Sequence, residues 1–283
     1  MAYLNEAHGD TGLLPAFELR DRGLELHEQY RNALPFPHIV IDDFMPASVL
    51  AGVLEHFPDE ASNAGAFERA QERLKFQYGP DTLHPSLRMV FYAFNSLPFI
   101  RVLENITGIK GLVPDPYYFG GGLHELRQGG HLSIHADFNH HKPMGLERRI
   151  NVLIYLNQDW RDDYGGQLEL WDKGMSQCVR SILPSFNRCV IFNTTGKSYH
   201  GNPHPISHPL GVSRKSIALY YYTATWSQGD REYTTQFQKR PDSDDRSDWM
   251  VRSGELVAEL LPPVLYRAVR AAKRGISRIR GRA

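Results

Sequence analysis

Cysteine is scarce in this chain of 283 residues. Its two cysteines, Cys178 and Cys189, form neither a C-x-x-C metal motif nor a disulfide framework. This scarcity favours a reducing, cytoplasmic setting. The first residues carry Glu6, Asp10 and Glu18 and lack the apolar stretch of a secretory signal. We therefore expect no signal peptide.

Excess charge and long apolar runs are missing as well. The 32 basic and 32 acidic residues cancel, so nothing in the overall charge predicts binding to nucleic acid. No run approaches the roughly 18 apolar residues of a spanning helix, so none is expected. The apolar content of 41% and charged content of 23% are ordinary for a globular protein. The length suits one large core with an extension.

The first third of the chain has apolar residues mainly at helical spacing. We predict a helical region, residues 1–114, that packs on the core. Gly108 is predicted to cap the last helix at its C-terminus. The predicted helices are 19–34, one that opens at Pro46, 84–94 and 97–106, and one short strand covers 38–42. Residues 66–79 are charged and carry no firm prediction.

From Pro114 onward, short strands replace helices, and clusters of Gly, Pro, Asn and Asp separate them. The predicted strands are 117–119, 123–126, 132–137, 149–156, 167–171, 178–182, 189–192 and 214–223. About eight short strands without intervening helices predict a jelly roll, or double-sheet barrel, over residues 115–238. The fold class is therefore mainly β with flanking helices. Residues 239–283 are predicted to be a polar linker and a basic C-terminal helix.

The candidate chemistry begins with His135-Ala-Asp137, which is flanked by apolar Ile134 and Phe138 and so is expected on a strand. Side chains at i and i+2 of a strand point to the same face, with Cα atoms roughly 6.7 Å apart. An imidazole and a carboxylate in this arrangement can bind one metal ion. A third ligand would complete a 2-His-1-carboxylate set, which leaves open positions and suits non-haem Fe(II).

The third ligand must come from another strand. His200 follows the predicted strand 189–192 and is our choice. His204 and His208 are rivals, but each precedes a proline, whose ring restricts the backbone before it. Any of the thirteen histidines could instead be an ordinary polar loop residue.

Four further side chains form the predicted cofactor-binding set. Arg214 and Ser216 share one face of the last predicted strand, and together suit a carboxylate. Alone, they would be read as the solvated start of a surface strand. Asn151 and Tyr155 share one face of the strand 149–156, where Tyr155 could offer a phenol to a buried ligand. Its alternative role is a core aromatic with a satisfied hydroxyl.

Taken in order, these residues form a recognisable pattern. His135-x-Asp137, Tyr155-Leu-Asn157, Gly165-Gly-Gln-Leu168, His200 and Arg214-x-Ser216 resemble the 2-oxoglutarate- and Fe(II)-dependent dioxygenases, in the prolyl 4-hydroxylase-like superfamily. The resemblance covers roughly residues 115–225. It implies a double-stranded β-helix in which the two histidines and Asp137 hold Fe(II). Arg214 would bind the distal carboxylate of 2-oxoglutarate, with Tyr155 and Ser216 assisting.

The resemblance also implies a reaction. Such an enzyme hydroxylates an unactivated C–H bond and releases succinate and carbon dioxide, with ascorbate as an optional further cofactor. The substrate is left open between a small molecule and a prolyl or peptidyl group.

Two alternatives remain. A zinc-dependent hydrolase would use the same ligands, but no motif supplies its general base. A non-catalytic, metal-binding β-barrel would not turn over 2-oxoglutarate.

The C-terminal region carries one more pattern. Between Gly254 and Arg282, apolar residues recur every three or four positions, and no acidic residue follows Glu259. A basic amphipathic helix can lie on an anionic membrane surface. We favour packing on the barrel, and we keep weak membrane contact through residues 264–282 as the alternative.

Overall fold

The computed structural model describes residues 2–4, 19–58, 65–69, 72–79, 83–224, 233–243 and 245. The chain divides into two compact units, Met1–Asp245 and Arg246–Ala283. The second unit, and with it the predicted C-terminal helix, lies outside the described residues. Across the described ranges, no helix has both the length and the apolar character that crossing a membrane requires.

The helices are short and precede the main run of strands. α1 (His27–Arg31) continues a 3-10 turn, Leu24–Leu26, so the predicted helix 19–34 is much shorter than expected. The other helices are α2 (Ala47–Glu55), α3 (Pro85–Phe94) and α4 (Leu97–Thr107). Gly108 ends α4 with a left-handed φ of 73° and donates its N–H to Glu104 O at 2.9 Å, which confirms the predicted cap.

The strands are β1 (His38–Ile41), β2 (Gly65–Arg69), β3 (Glu72–Tyr78), β4 (Val113–Pro114), β5 (Gly122–Ala136), β6 (His140–His141), β7 (Leu146–Tyr155), β8 (Leu168–Trp171), β9 (Cys178–Ile182), β10 (Cys189–Asn193), β11 (His200–Asn202), β12 (Arg214–Thr223) and β13 (Gln236–Phe237). β1 confirms the predicted strand 38–42, whereas the next two strands fall where no element was predicted. Residues 117–119 form a turn instead of the predicted strand.

Within the described residues these strands form one curled antiparallel sheet. Its central order is β1-β10-β7-β12-β5-β11-β8-β9, with β3 and β13 also paired to β5. The predicted jelly-roll core is thereby confirmed. The first 114 residues are not purely helical, because β1 extends the sheet beside β10, and the β2–β3 hairpin extends it beside β5. Tertiary pairing stabilises the charged β3, which local periodicity did not reveal.

The buried core lies on both faces of the central strands. On β7, Ile150, Val152 and Ile154 join the large cluster that includes the helices, whereas Tyr155 joins a smaller cluster inside the curl. Because both faces are covered, the last four residues of β7, 152–155, form a continuous apolar run. The inner face carries the polar side chains of the candidate site.

Candidate metal centre

Two neighbouring strands bring the predicted ligands together. β5 carries His135 near its end, Asp137 follows directly, and His200 begins β11, where it pairs with His135. All three are buried, and one ligand atom from each lies within 4.8 Å of the others. Asp137 Oδ1 is 3.5 Å from His135 Nε2, and Asp137 Oδ2 is 3.3 Å from His200 Nε2. Within the described part of the chain, this is the only group of its kind.

Backbone carbonyls orient both imidazoles in the same way. His135 Nδ1 lies 2.8 Å from Ser133 O, and His200 Nδ1 lies 2.9 Å from Ser198 O. An Nδ1–H that donates to a carbonyl leaves the lone pair on Nε2, the atom that faces Asp137. Burial also lowers the pKa of His200, which favours its neutral, ligating form. The donor set therefore fits a divalent metal ion.

Arg148 and Asn151 hold the carboxylate of Asp137. Arg148 Nη2 lies 3.0 Å from Asp137 Oδ2, and Asn151 Nδ2 donates to the same oxygen at 2.7 Å. Burial alone would raise the pKa of Asp137, but Arg148 and His200 hold it well below its usual range. Arg148 also donates to Asn151 Oδ1 through Nη2 at 2.6 Å, so the three side chains form one network. The predicted Asn151 thus lies beside the metal-site carboxylate.

Sequence reasoning missed Arg148. It stands three residues before Asn151, so the alternation of a regular strand would place the two on opposite faces. A register shift between β7 and β12, at Tyr221/Tyr222, brings both to the same side. Such an irregularity depends on pairing between distant strands and leaves no local signal in the sequence.

Aromatic rings flank the two imidazoles in a row. Ring centroids are 4.6 Å apart for Phe192–His200, 4.6 Å for His200–His135 and 5.4 Å for His135–Phe237. Phe237 belongs to β13, which pairs with the end of β5. Phe192 and Phe237 therefore shield the ligand rings at both ends of the row. No sequence pattern pointed to Phe237, because β13 is only two residues long.

The predicted anion site lies further along the inner face of β12. Ser216 pairs directly with Tyr155 across β12 and β7, so both point to one face. Arg214 is buried, its guanidinium lies 4.9 Å from the Tyr155 ring centroid, and burial lowers its pKa. No carboxylate of the described residues pairs with Arg214, and the buried Tyr155 hydroxyl has no hydrogen-bond partner among them. A carboxylate ligand would satisfy both groups.

Gly166 makes this arrangement possible. Its φ is +73°, and a Cβ there would lie 2.9 Å from Arg214 Cδ and 2.5 Å from Ile206 Cδ1. Without a side chain, its carbonyl can accept a hydrogen bond from Arg214 Nε at 2.8 Å. Steric crowding by Arg214 and Ile206 thus explains why the second residue of the Gly165-Gly166 pair is glycine.

The rival histidines lie elsewhere. The side chain of His204 is 59% exposed, and its Nε2 lies 3.0 Å from Glu169 Oε1. The His208 ring packs against Trp160 and Tyr164, at centroid distances of 5.4 and 4.3 Å. Neither belongs to the group formed by His135, Asp137 and His200.

Comparisons with known proteins agree with this geometry. Residues 121–222 match the family model described as the 2OG-Fe(II) oxygenase superfamily. A mouse (Mus musculus) protein, prolyl 3-hydroxylase OGFOD1, is 35% identical over 194 residues, which is 66% of this chain and 33% of that protein. The chain thus spans about a third of the length of this curated relative.

The comparison with solved structures finds one that shares the fold. A prolyl hydroxylase from Trichoplax adhaerens, in complex with a hypoxia-inducible-factor peptide fragment, superposes with a TM-score of 0.55 at 19% identity, covering 75% of this chain and 96% of that chain. A Pseudomonas putida prolyl-4-hydroxylase gives a TM-score of 0.49 at 15% identity, covering 71% and 98%.

Proposed function

We propose that the protein is a hydroxylase dependent on Fe(II) and 2-oxoglutarate, and the match of residues 121–222 to the 2OG-Fe(II) oxygenase superfamily supports this proposal. The observation that carries the proposal is the buried guanidinium of Arg214, which has no carboxylate partner among the described residues. Neither a zinc hydrolase nor a non-catalytic barrel explains why the Arg214 guanidinium and the Tyr155 hydroxyl are buried without a ligand-like partner among the described residues.

Each residue of the site has a role in this proposal. His135, Asp137 and His200 hold the metal, and Arg148 with Asn151 keeps Asp137 ionised and oriented. Arg214, Tyr155 and Ser216 bind the distal carboxylate of 2-oxoglutarate. The two phenylalanines beside the ligand histidines exclude water from that side of the centre.

Bound Fe(II) with 2-oxoglutarate supplies the oxidising power for the reaction. In the overall reaction, the substrate C–H, O2 and 2-oxoglutarate yield C–OH, succinate and carbon dioxide. The chain's own contribution is to orient the reactants and to keep the centre buried.

The proposed substrate is a prolyl residue within a peptide or protein. The mouse relative, which is named a prolyl 3-hydroxylase, supports this choice over a free small molecule. Use of ascorbate and a cytoplasmic location stay predictions. Membrane contact through residues 264–282 also stays a prediction, because that segment lies outside the described residues.

Metal binding tests the proposal directly. Mn(II), which stands in for Fe(II), should bind wild-type protein at one ion per chain in equilibrium dialysis. His200→Ala should lose the ion, whereas the control His204→Ala should keep it, because the His204 side chain is exposed and outside the triad. Loss of Mn(II) only in His204→Ala would contradict the assignment of the third ligand.

Turnover tests the reaction type. With Fe(II) and 2-oxoglutarate supplied, wild-type protein should release succinate, and His135→Ala should not. Protein that holds zinc but neither binds 2-oxoglutarate nor releases succinate would instead favour the hydrolase alternative.

A further inference from the structure

A group of rings, the aromatic wall, lies beside the metal centre on the side away from Arg214. Along β12, alternate residues face inward, with Arg214 and Ser216 at one end and Tyr220 and Tyr222 at the other. Tyr220 pairs with Asn151, which contacts Asp137. The wall consists of Tyr117, Phe119, Phe138, His141, Tyr220 and Tyr222.

Contacts connect Asp137 to this wall without a gap. Arg148, which pairs with Asp137, has its guanidinium carbon 3.5 Å from the Tyr220 ring centroid and 4.5 Å from that of Phe138. Phe138 meets Phe119 edge to face at 5.6 Å. The wall therefore continues from the ligand carboxylate to the surface.

At the surface, two rings of the wall are open to solvent. Tyr117 is 65% exposed and Phe119 is 50% exposed. Both also contact the buried His141, at centroid distances of 5.8 and 5.7 Å. Single exposed apolar side chains are common on protein surfaces. Two exposed aromatic rings that contact the same buried ring and continue to the candidate metal centre are not explained in that way.

A buried polar pair holds these rings in place. The Asp115 carboxylate accepts hydrogen bonds from the N–H groups of Tyr117 at 2.9 Å and Phe119 at 2.7 Å. His141 Nε2 lies 3.1 Å from Asp115 Oδ1, and both side chains are almost completely buried. Burying such a pair is costly unless its geometry is well satisfied. Here the effect of the pair is to fix the turn that presents Tyr117 and Phe119.

The residue between the two exposed rings turns inward. Tyr118 has a left-handed φ of 49°, is buried, and donates its hydroxyl to Phe91 O at 3.0 Å. A non-glycine residue in this conformation is strained, and such strain concentrates at functional sites. Tyr118 thus attaches the turn to the core, while the side chains of Tyr117 and Phe119 stay exposed to solvent.

We propose that Tyr117 and Phe119 form a docking site for the peptide segment next to the hydroxylated residue, and that this segment is proline-containing and extended. This inference rests on the proposed function, which places the hydroxylated residue at the metal centre. Proline-rich segments adopt the polyproline II conformation and bind aromatic-lined surfaces. Arg148, the cation at the inner end of the wall, is paired with Asp137, and the exposed rings of Tyr117 and Phe119 are uncharged, which suits an apolar, extended segment.

Binding of a labelled decaproline peptide tests the proposal. Fluorescence anisotropy is measured with the full chain, both alone and loaded with Mn(II) and 2-oxoglutarate, against a Gly-Ser peptide of equal length. Wild-type protein should bind decaproline and not the Gly-Ser peptide. Tyr117→Ala and Phe119→Ala should each weaken binding by about 2- to 10-fold, the usual effect of one aromatic contact.

Leu210→Ala is the matched control. Leu210 is 83% exposed and precedes β12 at the Arg214 end, away from the aromatic wall. Its substitution should leave decaproline binding unchanged, and 2-oxoglutarate affinity should be equal in all variants. Equal decaproline binding by wild type, Tyr117→Ala and Phe119→Ala, or no binding by wild type, would overturn the docking site. Loss of 2-oxoglutarate binding with peptide binding intact would instead count against the proposed function alone.

Discussion

Single residues at this site differ in whether their charge has a partner. Arg148 is buried against Asp137, and its charge is neutralised within the protein. Arg214 is buried without an acidic partner among the described residues, and burial lowers its pKa. A buried charge without a partner is strongly unfavourable. We therefore propose different roles for the two arginines: Arg148 orients Asp137 at the candidate metal site, and Arg214 binds an anionic ligand.

Arg214→Met tests this distinction. Loss of one partner of a desolvated charged pair costs about 2–5 kcal/mol, so the Kd for 2-oxoglutarate should rise by about 30-fold or more. Lys215→Met is the control, because Lys215 faces the other side of β12 and lies near Phe57. Isothermal titration calorimetry on Mn(II)-loaded protein would measure both. An equal effect of the two substitutions would show that the position of Arg214 has no special role.

Cys178 gives a pH-dependent prediction at the same scale. Burial, with a further contribution from Glu169, raises the pKa of this thiol to about 11, although the residue as a whole is exposed. Only the thiolate reacts, so alkylation by iodoacetamide should rise about tenfold per pH unit from pH 8 up to that pKa. Mass spectrometry of Cys178→Ser should show no labelling, because Cys189 is fully buried. A labelling rate that levels off near pH 9 would contradict the raised pKa.

At the scale of elements, β5 organises the molecule. The sequence predicts two strands here, and the structure joins them into one strand of 15 residues. Gly129, with φ +77°, lies between the two halves. The first half pairs with β12, which carries the anion site, and the second half pairs with β11, which carries His200. One strand thereby connects the candidate metal site to the candidate anion site.

The helix ends can be tested with two glycines. Gly108→Ala places an L-residue at φ +73° with its Cβ 2.7 Å from His27 Cε1, so the free energy of unfolding should fall by about 1–2 kcal/mol. Gly52→Ala, within α2, meets nothing within 4 Å and should raise it by about 0.5–1 kcal/mol. Urea denaturation measures both. An unchanged or higher free energy of unfolding for Gly108→Ala would contradict the role of Gly108 as a helix cap.

At the scale of the whole molecule, the curled sheet and the candidate site lie in one unit. Every strand described, together with His135, Asp137 and His200, falls within Met1–Asp245. The core of that unit is contributed by its own helices and strands. We therefore expect this unit to fold without the remaining residues.

A chain that ends at Asp245 tests this view. It should keep the thermal unfolding midpoint of the full chain and bind Mn(II) equally well, because its core and ligands are unchanged. Differential scanning calorimetry and equilibrium dialysis provide the measurements. A marked loss of either property would show that residues 246–283 contribute to the stability of the sheet.

The sequence alone determined those features that depend on short spacings. The i, i+2 spacing of His135 and Asp137 placed both on one strand face, and the same rule paired Arg214 with Ser216. Most strands and the cap at Gly108 followed from local composition. The order of the motifs along the chain indicated a resemblance to the 2-oxoglutarate- and Fe(II)-dependent dioxygenases.

Other features were decided only by the tertiary structure. Which histidine joins His135 and Asp137 depended on the pairing of β11 with β5, which brings His200 into the group and leaves His204 exposed. Arg148 and Phe237 reached the site through a register shift and a two-residue strand. Local periodicity reflects neighbours along the chain, whereas these contacts join residues far apart in sequence. Their positions follow from strand register and packing, which no short segment encodes by itself.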